Sequence, residues 1–148
     1  MSKVRMISLF SGAGGLDLGF GMAGFKPIFA CDIEKAAVDT YNRNLPPVAK
    51  VLDLTKAEPR NFPDCDVIIG GPPCQAFSLT GKRDINDPRA TLVFKYLEII
   101  KEKRPLIFVI ENVVGILSAK TPAGSKVIDD LKTAINSFGY QFVYKILP

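Results

Sequence analysis

The stretch VRMISLFSGAGGLDLGFGMAGF, residues 4–25, decides the fold. It opens on an apolar run, residues 4–10, which reads as a strand. A Gly-rich turn follows. Leu16, Phe20 and Ala23 then recur at helical spacing until Gly24 can end the helix. A strand passing through glycines into a helix suits ligand binding. The glycines let backbone approach a ligand closely, and the free N–H groups at the helix start can bind it. The turn is a poor dinucleotide fingerprint, because position 17 holds Asp17 where Gly or Ala is needed. An acid there would repel a pyrophosphate. A nucleoside without phosphate fits better, and S-adenosylmethionine is the common one. The competing reading is a turn required only for packing.

Outward from this unit the same alternation continues. Residues 26–33 (KPIFACDI) read as a second strand. Residues 34–44 read as a helix with Ala37, Val38 and Tyr41 on one face. Short strands are predicted at 50–55 and 65–71, and a helix at 92–105, stopped by Pro105. A fifth strand is predicted at 106–112, a helix at 125–139 and a sixth strand at 140–147. Between them, residues 78–91 form a polar loop carrying Lys82, Arg83 and Arg89. Strands that are nearly all apolar and alternate with helices predict an α/β fold with a doubly wound, mostly parallel sheet. Ligands bind such sheets beyond the carboxyl ends of the strands. Those ends carry Phe10 to Gly15, Asp32, Asp53, Gly71 to Cys74, and Glu111.

The totals bound the chemistry. The chain has 148 residues, enough for one domain with a real core. Its net charge of +4 permits a nucleic-acid partner without establishing one. No apolar stretch approaches the roughly 20 residues of a membrane span, and the first ten residues read as a strand, not a signal peptide. A cytoplasmic location is expected. Three cysteines without a C-x-x-C pair argue against zinc and against a disulfide framework. There is no histidine, so acid–base work falls to Asp, Glu, Lys, Tyr or water.

Of the candidate residues, Cys74 is the centre. In GGPPCQAFS (70–78), Pro72 and Pro73 fix φ and push their predecessors towards extended backbone, so the thiol position is largely set. An ionised cysteine is a strong nucleophile, and Lys82, Arg83 and Arg89 could favour the thiolate. Cys31 and Cys65 read as small buried hydrophobes. Glu111 ends the apolar run LIFVI, where desolvation would raise its pKa and let it donate to a ring nitrogen. Pairing with a nearby cation or with backbone is the alternative. Asp32 lies 17 positions after Gly15, near the spacing of an acid that binds ribose hydroxyls. Asp53 could accept from an adenine amino group, although a cap or turn role is commoner for a lone Asp. Asn112 reads as a loop tie.

These residues together resemble the DNA (cytosine-5) methyltransferases, in their N-terminal catalytic part. LFSGAGGLDLGF, CDIEKAAVDTYNRN, DLT, GGPPCQAFSLTGKR and VIENV are similar to five of that family's motifs and stand in family order. The resemblance implies a SAM-dependent, Rossmann-like methyltransferase fold, incomplete at the C-terminus. It also implies roles. Phe10 would stack on adenine, and Gly12, Ala13, Gly14 and Gly15 would approach the methionine part. Asp32 would hold the ribose and Ile33 would cover the adenine. Asp53 would accept from the adenine amino group, with Leu54, Pro73 and Leu92 lining the pocket. Ser78, Lys82 and Arg89 would face DNA phosphates. Cys74 would attack C6 of a cytosine flipped from duplex DNA, and Glu111 would stabilise protonated N3. The cofactor would be S-adenosylmethionine, leaving as S-adenosylhomocysteine, with no metal.

The family's later arginine-bearing motif, target-recognition domain and returning C-terminal segment have no counterpart here. The chain is therefore expected to be a truncated or split form, weak or inactive alone, with a complementary C-terminal subunit as a possible partner. A restriction–modification role is one expectation. Alternatives are a tRNA cytosine-5 methyltransferase, a non-catalytic SAM-binding or assembly subunit, and, more distantly, a nicotinamide oxidoreductase.

Overall fold

The computed structural model describes residues 3–73, 92–121 and 124–148. The chain order is β1 (Arg5–Leu9), α1 (Gly15–Met22), β2 (Lys26–Asp32), α2 (Lys35–Asn44), β3 (Ala49–Val51), β4 (Val67–Gly70), α3 (Leu92–Lys103), β5 (Ile107–Ile110) and α4 (Val127–Ser137). Short 3-10 turns lie at Leu54–Lys56, Pro59–Asn61 and Val114–Leu117. The five strands form one parallel sheet in the order β3-β2-β1-β4-β5.

Alternation along each strand sends side chains to two faces. Met6, Ala30, Val67 and Ile69 face one side, where α1 brings Leu16 and Phe20 and α2 brings Val38 and Tyr41. Ile7, Leu9, Cys31 and Ile68 face the other, under α3 (Val93, Tyr96, Leu97, Ile100) and α4 (Val127, Leu131, Ile135). Both faces of β1 are buried from Met6 to Leu9, so β1 is mostly apolar there, with Ser8 as its one polar side chain. The predicted doubly wound α/β fold is the observed one.

Two predicted strands differ. The predicted strand at 50–55 pairs only as Ala49–Val51. Asp53 then caps a 3-10 turn, accepting from the Thr55 backbone N–H and hydroxyl at 3.0 and 2.6 Å. The predicted sixth strand at 140–147 does not form. Its pattern is apolar enough, but among the described residues no strand lies beside it to complete a ladder. Tyr140 still packs edge-on against Phe108 of β5, with centroids 5.1 Å apart. Beyond it Val143, Tyr144, Ile146 and Leu147 are exposed.

Candidate active site

The parallel register brings the strand ends into one row. Hydrogen bonds continue past each strand and lock its following loop to a neighbour. Leu52 N–H donates to the Asp32 carbonyl (2.9 Å), Ser11 N–H to the Cys31 carbonyl (3.0 Å), and Glu111 N–H to the Gly70 carbonyl (2.9 Å). Asp53, Asp32, the Gly-rich turn, Gly70–Pro73 and Glu111 thus stand side by side along the carboxyl edge.

At the centre is a cleft of about 440 Å³ lined by the end of β1, the turn after it, the end of β4 and Glu111. It brings together the predicted residues Phe10, Gly15 and Glu111. Ser11 and Gly71, also at the predicted strand ends, line it too, and it adds Ser8, Leu16, Asp17 and Gly70. Phe10 sits at φ 55°, in the left-handed region that bulky residues avoid. A backbone strained at that point, where the sheet meets the cleft, marks a functional turn. Gly14 is left-handed too, at φ 94°. A Cβ on it would lie 2.4 Å from Leu45 and 2.8 Å from Tyr41, so α2 packs directly on the turn.

Asp32 holds that turn. One carboxylate oxygen accepts from Gly12 N–H at 2.8 Å, and the other from Glu34 N–H at 2.9 Å. Each oxygen keeps a further lone pair for a ligand hydroxyl. Ile33, next along, is 61% exposed and free to cover a flat ring. Hydrogen bonds from Thr55 hold the Asp53 carboxyl below the usual range, with Lys56 3.5 Å away. Leu54 is buried in the main core, while Leu92 is half-buried against it. Pro73 is half-buried at the last described position before Cys74. Cys74, Ser78, Lys82 and Arg89 lie outside the described residues.

Sequence reasoning used Asp17 only to disfavour a pyrophosphate. In the structure Asp17 is 2% exposed and accepts from Ser8 Oγ at 2.7 Å and Tyr41 Oη at 2.8 Å. Burial raises its pKa against the pull of those two hydroxyls. The trio ties α1 and α2 to β1 beneath the turn. No local pattern reveals it, because its members are 9 and 24 positions apart. Asn112 donates from Nδ2 to the Pro72 carbonyl at 3.3 Å, so it does tie the loop that leads to Cys74. Burial pushes the Cys31 thiol up to about 12 and the Cys65 thiol up to about 11, which leaves both inert.

A doubly wound sheet thus carries a Gly-rich first turn, an acid at the second strand end and a glutamate at the fifth along one edge, an architecture shared with SAM-dependent methyltransferase structures. Residues 4–148 match the family model for C-5 cytosine-specific DNA methylase, and the chain belongs to that family. It is 40% identical over 145 residues to the Type II methyltransferase M.FnuDI of Fusobacterium nucleatum, covering 97% of this chain and 41% of that one. It is 36% identical to the Type II methyltransferase M.AquIA of a Picosynechococcus species, covering 96% of this chain and 62% of that one. Among solved structures, it is similar to an E. coli prophage protein described as a DNA modification methyltransferase. There the TM-score is 0.73 at 32% identity, covering 90% of this chain and 38% of that one. The S. pombe Dnmt2 methyltransferase gives a TM-score of 0.72 at 27% identity, covering 91% and 42%. The chain spans about 40% of the length of the first relatives it matches. No helix among the described residues is long and apolar enough to cross a membrane.

Proposed function

We propose that this chain is the cofactor-binding and nucleophile-bearing part of an enzyme that methylates C5 of cytosine in duplex DNA. The observation that carries the reading is the placement of Glu111. Its carboxylate faces the same cleft as Phe10 and Gly15, and its backbone is bonded to the strand end that runs into Cys74. S-adenosylmethionine supplies the methyl group. Asp32 and Ile33 would hold its ribose and adenine, and the turn from Gly12 to Gly15 its methionine end. A pocket whose described lining carries carboxylates and hydroxyls, with no lysine or arginine, suits a cationic sulfonium ligand.

The chemistry then follows from the residues. A target cytosine must leave the stack to reach this cleft. Cys74 thiolate adds to C6, and Glu111 shares a proton with N3, so the electron pair moves to C5. C5 takes the methyl and gives up its proton to water or a base, and the pair returns to expel the thiolate. Ser78, Lys82 and Arg89 would contact phosphates around the flipped base.

The remainder of the catalytic unit, in the same polypeptide or a separate one, would pack against the outer edge of β5, which no described strand pairs. The support is that Leu106, Ile107 and Val109 are exposed there. Together with the unpaired 140–147 segment they form an apolar margin. In the active enzyme, Cys74→Ala should abolish transfer of labelled methyl groups to duplex DNA. Glu111→Gln should reduce it about 10²- to 10⁴-fold. Full activity with Cys74→Ala would refute the mechanism. Labelling of tRNA in preference to duplex DNA would refute the substrate.

A further inference from the structure

Gly70 ends β4 and Gly71 follows it, and the two do different things. A Cβ on Gly70 would lie 2.4 Å from the Leu9 carbonyl oxygen and 2.8 Å from the Tyr96 ring. Both obstacles are parts of the rigid core, so Gly70 is needed for β1, β4 and α3 to close. Among the described residues, a Cβ on Gly71 would meet only Glu111. The carboxylate oxygen Oε2 is 2.8 Å away, and the next atoms, the Glu111 carbonyl oxygen and Cβ, are at 3.7 and 3.9 Å. Gly71 is not in the left-handed region, so its backbone accepts any residue. Among the described residues, nothing in packing or conformation requires glycine there except the Glu111 carboxylate.

We propose that Gly71 is a positioning residue for Glu111: its bare Cα leaves the slot in which the carboxylate stands at the cleft. The frame around the slot is rigid. Glu111 N–H is bonded to the Gly70 carbonyl, and the Asn112 side chain to the Pro72 carbonyl. The backbone therefore cannot move aside to make room for a methyl group. The Glu111 side chain has to give instead, by roughly 0.6 Å to turn a 2.8 Å contact into an ordinary one, and misplacement at a reacting group costs rate, about 10²-fold at about 1 Å. The inference deepens the reading that Glu111 serves the reaction, and rests on it for its effect on rate.

Gly71→Ala separates this role from packing. The substituted chain should melt at or slightly above the wild-type temperature, since the clash is with the free end of a side chain and alanine reduces unfolded-state freedom. Gly70→Ala should melt well below it. Crystal structures of wild type and Gly71→Ala should show the Glu111 carboxylate displaced by roughly 0.6 Å or more, the shift that takes a 2.8 Å contact out to an ordinary one. In the active enzyme kcat should fall about 10²-fold with KM for S-adenosylmethionine nearly unchanged. Gly71→Ala should add no further loss to Glu111→Ala. An unmoved carboxylate, or unchanged kcat where Glu111→Ala is inactive, overturns the inference. If Glu111→Ala itself keeps full activity, the reading of Glu111 has failed, while the displaced carboxylate still upholds the slot. Should Gly71→Ala melt early, Glu111→Ala decides. Recovery of the melting temperature in the double variant supports the slot, and an equally low value overturns it.

Discussion

The two edges of the sheet are built differently. At the β3 edge, Asn42 of α2 places its amide against the strand, donating to the Ala49 carbonyl at 2.9 Å and accepting from Ala49 N–H at 3.0 Å. A three-residue strand is thereby finished by a side chain. At the β5 edge no strand pairs among the described residues, and Ile107 is 61% exposed while Ile68, one strand inward, is fully buried. One edge is clamped at Ala49, although Val51 beyond it is 53% exposed, and the other, among the described residues, has no such clamp and offers backbone and apolar side chains to whatever docks there. The cofactor side of the proposed site lies towards the clamped edge. Glu111, the proposed partner of the cytosine ring, stands at the end of the other.

The largest effects should separate these regions by stability. Ile68→Ala should cost about 2–5 kcal/mol, as for other large-to-small changes in a packed core. Ile107→Ala should fall within about 0.5 kcal/mol, the range of exposed substitutions. Urea unfolding of the isolated chain measures both, and equal losses would mean that β5 is covered in solution. Next in size is Tyr41→Phe on the clamped side. It leaves one oxygen of the buried Asp17 carboxylate without its donor, at a cost of about 1–3 kcal/mol. A neutral result there would mean that water or a relaxed Ser8 replaces the phenol.

The smallest effect concerns pH. Asp66 accepts from the Arg5 backbone N–H at 2.8 Å and from the Arg5 side chain, and these bonds hold its carboxyl below the usual range. Folded-state pKa below the unfolded value means that the stabilisation is complete above about pH 4 and is lost as the pH falls further. Asp66→Asn should therefore make the melting temperature fall less steeply below about pH 4 while leaving the neutral range flat. Parallel curves for the two proteins would show that the bond adds nothing.

How much of this was legible in the sequence differs by region for physical reasons. Strands β1, β2 and β4 announce themselves because each carries a largely apolar stretch where it is buried. The Gly-rich turn and Asp32 are legible because strand, glycine and acid follow at a fixed spacing. The 140–147 segment misleads, since alternation reports what a strand could bury and not whether a neighbour exists. Asp53 was open to two readings, and the structure shows its capping bonds directly. The Ser8–Asp17–Tyr41 trio and the slot at Gly71 are contacts across the fold that no local pattern encodes.

The central claim is that Cys74 forms a bond to C6 of cytosine while Glu111 assists. Duplex DNA in which every cytosine is replaced by 5-fluorocytosine tests it without knowledge of the target sequence. After methyl transfer the C5 fluorine cannot leave as a proton does, so the thiolate cannot be expelled. Incubation of the active enzyme with this DNA and S-adenosylmethionine, followed by proteolysis and mass spectrometry, should find the nucleotide attached to the peptide bearing Cys74. Cys74→Ala should give no adduct. Methylated product without an adduct, or an adduct on another residue, would contradict the account.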